Sequence, residues 1–176
     1  MKNSPSSYFL INNMRLSEVR KWVHCGIGEI SKKKFKRIDD PEDKRRHVIG
    51  KPDGGLWASP VDSKLGWETW CKLEGFFEDV YCDGNNKHFF KLKDTAKIAE
   101  IDTLFDLQTL LKKYGKKLEY FAYIITTPYE LDYVKMQDDG YDGIYLTERG
   151  VQETRNECLR NWDVESIVLF NLDCIE

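Results

Sequence analysis

Histidine is scarce in this chain of 176 residues, which holds only His24, His47 and His88, widely separated. A histidine-based metal centre is therefore not expected. The five cysteines (Cys25, Cys71, Cys82, Cys158 and Cys174) are odd in number and include no Cys-x-x-Cys pair. That spacing argues against both a disulfide framework and a zinc site, and reduced, mostly buried thiols are expected instead. No apolar run approaches the roughly 20 residues of a membrane span. Met1-Lys-Asn-Ser-Pro-Ser-Ser7 is followed by no hydrophobic region of the signal-peptide kind, so the expectation is a soluble, cytoplasmic protein with no membrane partner. Neither charge sign dominates. A net charge of −3 argues against a generic nucleic-acid coat. Internal repeats and low-complexity segments are also missing.

What is present fits an ordinary globular chain. Hydrophobic residues make up 41% and aromatics 13%, enough for a full-sized core in one domain spanning 1–176. The segment 1–50 reads as a variable N-terminal part and 51–176 as a motif-bearing core. Two basic stretches, Lys32-Lys-Lys-Phe-Lys-Arg37 and Lys44-Arg-Arg-His47, flank the acidic Asp39-Asp-Pro-Glu-Asp43. They suit either phosphate contact or a solvated flap.

Periodicity and turn signals divide the chain further. Strands are expected at Tyr8–Ile11, His47–Ile49, Leu56–Ser59, Val80–Cys82, His88–Leu92, Ala96–Ile101, Tyr141–Leu146 and Glu165–Phe170. Tyr120–Ile125 reads as strand or helix. Ser17 can cap a short helix running through Val19 and Trp22 to Val23. A helix near Trp67, another over Leu104–Tyr114 capped by Asp102 and ended by Gly115, and a third over Leu131–Met136 are expected. Arg149–Leu159 reads as a loop or irregular helix. The sum is an α+β fold with a split, mainly antiparallel β core and flanking helices.

Three of the five tryptophans lie within fourteen residues, in Lys51-Pro-Asp-Gly-Gly-Leu-Trp-Ala-Ser59 and Trp67-Glu-Thr-Trp70-Cys71. Trp places a large flat surface and needs a partner for its indole N–H, while paired glycines let a ligand approach the backbone. Two readings stay open: a Trp-rich core corner, or a pocket for a flat ligand with polar edges.

Gly55-Leu-Trp57, then Ser63-Lys64, then Trp70-Cys71 resembles the second-strand motif of ADP-ribosyltransferases of the poly-ADP-ribose-polymerase and diphtheria-toxin type. Glu165-Ser-Ile-Val-Leu-Phe-Asn171 resembles that family's last motif, a glutamate heading an apolar strand. Lys-Pro-x-Gly-Gly-Leu-Trp, Trp-x-x-Trp-Cys, Tyr-Asp-Gly-Ile and Trp-Asp…Ser are together similar to motifs of a group of small phage and bacterial proteins. The resemblance covers residue 51 to the end. It implies an NAD-dependent transferase acting on a host protein or nucleic acid, in a toxin or host-defence setting, with NAD as substrate and no metal, zinc included.

It also implies roles. Trp57 with Trp67 or Trp70 would clamp the nicotinamide, Gly55 would offer backbone contacts, Ser59 a hydroxyl and Lys51 a charge for the pyrophosphate. Glu165 would be catalytic, binding ribose and stabilising an oxocarbenium-like transition state. The family places a His or Arg on its first strand. Tyr8–Asn13 carries neither, and His24-Cys-Gly26, at a suitable distance ahead of Gly55, reads as a helix end. Asp142 reads as a turn residue or a site carboxylate. Two other classes remain: a non-catalytic binding or inhibitor module using the Trp pocket for a nucleotide or host protein, and a nucleic-acid-processing enzyme with Glu165 or Asp142 as base.

Overall fold

The computed structural model describes residues 20–39, 48–75, 84–118 and 128–176. Within them, six strands form one sheet: β1 (Lys21–Cys25), β2 (Leu56–Pro60), β3 (Lys87–Lys91), β4 (Ile98–Ile101), β7 (Gly143–Leu146) and β8 (Ser166–Leu169). Their order is β3-β1-β2-β8-β7-β4. Every neighbouring pair is antiparallel except β4 with β7. That parallel pair needs a crossover, and the chain makes it through helix α2 (Leu104–Tyr114), the small ladder of β5 (Gly115–Lys117) with β6 (Tyr129–Leu131), and α3 (Tyr133–Asp138). Helices α1 (Trp67–Glu74) and α4 (Glu148–Glu153) and a 3-10 turn at Gly84–Asn86 complete the described elements. The architecture is α+β and mainly antiparallel, as the residue pattern predicts.

Strand alternation sorts the core onto two faces. Glu100, Tyr145, Ile167 and Ala58 lie in register across β4, β7, β8 and β2. Around them Trp22, Leu56, Phe90, Ile98 and Leu169 form one apolar cluster. On the other face Trp57, Val168 and Ile144 are in register and pack with Leu107, Leu110 and Tyr114 of α2, Met136 of α3, Trp162 and Phe170. No strand of the β2, β7, β8 centre is free of burial on both sides, which is why these segments read as nearly continuous apolar runs.

Several local expectations are corrected. Trp22 and Val23 lie on strand β1, where the predicted short helix would have ended; β1 is paired on both sides, and fully buried Trp22 alternates with exposed Lys21. Val19, Trp22 and Val23 satisfy a helical spacing, but pairing to β2 and β3 outweighs that local pattern. Val48 to Gly50 is a turn, closed by Lys51 N–H on the Val48 carbonyl at 2.9 Å. Thr103, one residue past Asp102, caps α2 in a reciprocal capping box with Asp106. Leu131 ends β6, and Asp132 caps α3. Residues 149–153 of the predicted loop or irregular helix belong to a regular helix, Glu148–Glu153, capped where Thr147 Oγ1 accepts from Gly150 N–H at 2.9 Å. Tyr8–Ile11, His47, Val80–Cys82 and Tyr120–Ile125 lie outside the described residues.

The Lys51–Gly55 turn is anchored from both sides. Gly50 (φ +77°) has no room for a side chain: a Cβ there would stand 1.8 Å from the Cys158 carbonyl oxygen. Its own carbonyl accepts from Tyr133 Oη–H and from the Trp162 indole N–H, each at 2.5 Å. The burial of Tyr133 that this requires raises its phenol pKa well above the ordinary value. Thus the tryptophan motif enters β2 from a fixed platform.

Candidate functional site

Glu165 heads β8 with its side chain only 6% exposed, and a buried carboxylate needs partners. It has two. Arg20 Nη1 donates to Glu165 Oε1 at 3.0 Å, and Tyr145 Oη–H donates to the same oxygen. Arg20 also donates to Tyr145 Oη, and its guanidinium lies 5.4 Å from the centre of that ring. Tyr145 is in turn fixed by the edge-on indole of Trp22, 5.1 Å away. The three groups form a closed hydrogen-bonded triangle drawn from residue 20, β7 and the start of β8.

The Glu165 carboxylate also lines a cleft. That cleft, of about 560 Å³, is walled also by Asp62, Ser63, Glu100, Asp102, Thr147 and Glu148. Burial raises the Glu165 pKa. Ser63 and Arg20 oppose that shift, while the negative charges of Asp62 and Glu148 add to it. Ser63 favours the ionised carboxylate, and its Oγ is buried in the cleft wall. On the far wall, Asp102 accepts from Thr147 Oγ1 at 2.7 Å and from Arg149 Nη1 at 3.4 Å.

The other residues singled out from sequence lie elsewhere. Trp57 is on the opposite sheet face, tilted against Trp162 with ring centres 4.6 Å apart. Ser59 shares that face and is buried; its Oγ accepts from Trp67 N–H at 3.0 Å, pinning the start of α1. Trp67 and Trp70 stack on each other at 5.0 Å. Gly55 (φ +77°) gives its N–H to the Lys36 carbonyl at 2.8 Å, so that donor is already engaged. Lys51 Nζ lies 3.8 Å from Asp163 Oδ2. None of these six walls the cleft of Glu165. The loop from Val61 to Gly66 links the two regions, since it joins Ser59 to α1 and carries Asp62 and Ser63 into the cleft.

His24 is placed differently from its reading as a helix end. It lies on β1, and Nδ1 donates to the Trp57 carbonyl at 2.7 Å. Only two residue pairs join β1 to β2, Trp22 with Pro60 and Val23 with Ser59. Beyond them the strands part, and His24 spans the opening. Burial lowers its pKa, the Trp57 carbonyl opposes this, and nearby His88 adds to it. Neutral His24 with its proton on Nδ1 is the form this geometry holds.

Asp142 is structural: its carboxylate accepts from Lys97 N–H at 2.8 Å and from Asn171 Nδ2 at 2.6 Å. Cys71, Cys158 and Cys174 are buried thiols outside any disulfide among the described residues, and Cys25 is half-buried. Burial pushes the Cys158 and Cys174 thiols up to about 12, which removes them as nucleophiles. Among the described residues no group of three or more His, Cys, Asp or Glu side chains could hold a metal ion. None of their helices is long and apolar enough to cross a membrane.

Sequence reasoning missed Arg20, Tyr145 and Ser63 as members of the site. Tyr145 directly follows a motif already singled out, Tyr141-Asp-Gly-Ile144, and Ser63 sits between the two Trp segments. Arg20 precedes a strand mistaken for a helix and carried no signal. No protein-family model, no curated protein and no solved structure matches the chain.

Proposed function

We propose that this protein is an NAD-dependent ADP-ribosyltransferase of phage or bacterial type, cleaving the nicotinamide–ribose bond and modifying a host macromolecule. One observation carries the reading: Glu165, at the head of an apolar strand as the motif requires, is a buried carboxylate held by Arg20 and Tyr145 on the wall of a cleft. A carboxylate so oriented stabilises an oxocarbenium-like centre without reorganising at the moment of reaction. Its raised pKa also makes it a stronger base toward a proton on an attacking group than an exposed carboxylate.

The test is labelled NAD incubated with cell extract, scoring nicotinamide release and label transfer separately. Glu165→Gln keeps the shape and removes the charge, and should lower turnover by about 10²–10³ while the protein stays folded. Equal turnover in that variant removes Glu165 from the chemistry.

A binding module is the second reading, and the placement of the tryptophans favours it. Trp57 packs on Trp162 and Trp67 on Trp70, away from the Glu165 cleft. In that reading the aromatic face holds a nucleotide or host protein and NAD is never turned over. Parent protein that binds NAD without releasing nicotinamide would decide for it.

A further inference from the structure

Among the described residues β3 is an end strand of the six-stranded sheet, with β1 on its inner side. Backbone alternation fixes which of its groups face outward. The Lys91 carbonyl accepts from Glu176 N–H at 3.0 Å, so it points away from β1. The two-residue period then turns the N–H and C=O of Phe89 and Lys87 outward as well, and those of Phe90 and His88 toward β1. Nothing among the described residues pairs with the outward groups of Phe89 and Lys87. Part of the same edge is in use. Leu92 makes an antiparallel bridge with Ile175, and Lys93 N–H donates to the Cys174 carbonyl at 2.8 Å. Residues 174–176 thus show the direction and register in which this edge takes an added strand.

The side chains along the edge say what such a strand should carry. Lys87, Phe89 and Lys91 share the face turned away from buried Phe90, in register with Cys25, Val23 and Lys21 of β1. Phe89 is 51% exposed, with Lys21 Nζ 4.5 Å from its ring centre. Lys21 and Lys91 are exposed, whereas Lys87 is engaged by Glu68 at 2.8 Å. In the stretch already paired, the residue that the register sets against Lys91 is Glu176. A second copy of β3 would bring lysine against lysine, which is repulsive across a ladder. Edge lysines guard against self-pairing in this way. An acidic strand meets the opposite condition.

We infer that the open edge of β3 docks an extended acidic segment of a partner protein, added as an antiparallel strand beside residues 87–90. Its backbone bonds the outward groups of Phe89 and Lys87, and its carboxylates face Lys21 and Lys91. No residue of β3 walls the Glu165 cleft, so the inference holds whether or not NAD is turned over.

The test uses the full chain and a labelled peptide alternating glutamate with valine, its affinity read by fluorescence anisotropy. Peptide residues opposite Phe89 and Lys87 put their side chains on the lysine face and their N–H groups on the edge. Glutamates take those places. N-methylation of the glutamates should therefore abolish binding, and N-methylation of the valines should leave it unchanged. A peptide with lysine for glutamate should bind about tenfold or more weakly at low salt. Lys91→Glu should weaken the acidic peptide by about three- to tenfold and strengthen the lysine peptide. Phe89→Pro removes an outward donor and spares the ladder to β1, so it should lose binding with an unchanged far-UV spectrum. Equal affinity for both charge versions, or indifference to N-methylated glutamate, overturns the strand docking. Absence of binding overturns it too. A concentration-dependent dimer that Phe89→Pro dissolves would assign the edge to a second copy instead.

Discussion

At the scale of single residues, Glu165 shows what burial does to a charge. Its folded pKa lies above its unfolded one because burial outweighs Ser63 and Arg20. Below the unfolded pKa both states are protonated and the residue carries no ionisation penalty. As pH rises through the interval between the two values, the unfolded chain releases its proton first, so the folded state loses relative stability; above the folded pKa the loss is constant. Glu165→Gln abolishes that dependence. The difference in melting temperature, variant minus parent, should therefore be more positive at pH 7 than at pH 4; an equal difference would mean Glu165 is not strained by its site. Tyr145→Phe removes a donor to the charged form, which should raise the Glu165 pKa further and move the acid limb of any pH–rate profile upward. It should also destabilise the fold by about 1–2 kcal/mol in urea titrations.

At the scale of elements, two positions carry testable weight away from the cleft. Helix α2 begins with Thr103 and Asp106 satisfying each other's backbone N–H groups, at 3.3 Å from Asp106 N–H and 2.8 Å from Thr103 N–H. Thr103→Ala should cost about 1 kcal/mol, seen as a lower urea midpoint with unchanged slope. Gly55 admits no side chain: a Cβ would lie 2.7 Å from Val168 Cγ2 and 2.9 Å from the Leu169 carbonyl, at φ +77°. Gly55→Ala should destabilise by about 2 kcal/mol or more, and the loss should appear without NAD. This glycine lets β2 approach β8, so its place in the motif has a packing reason independent of any ligand.

For the whole molecule, the sheet puts Trp57 and Trp162 on the face opposite Tyr145, the partner of the buried carboxylate. NAD should quench tryptophan fluorescence in the parent. If the Trp57 face holds the ring, Trp57→Ala should bind NAD more weakly by roughly 0.5–1.5 kcal/mol beyond the lost area and quench much less. Quenching that survives in folded Trp57→Ala would move the ligand toward the Glu165 cleft, and no quenching in the parent would leave both surfaces to another partner.

Elements with a strong local signal were legible from the sequence. Leu56–Pro60, Gly143–Leu146 and Ser166–Leu169 are apolar, turn-bounded runs, and Leu104–Tyr114 carries its leucines at helical spacing with a glycine at its end. Such information lies within a few residues, where propensity and capping act. Strand parity likewise places Glu165 on the side of Ile167 and Leu169. Other features depend on residues distant in the chain. Whether Lys21–Cys25 is helix or strand was decided by β2 and β3, since Trp22 and Val23 satisfy both periods. Arg20 meets Glu165 across 145 residues and Tyr145 across 125, a meeting that strand order alone creates. Trp57 faces away from that cleft because one step along a strand reverses a side chain, and only the register against Val168 fixes which side it takes.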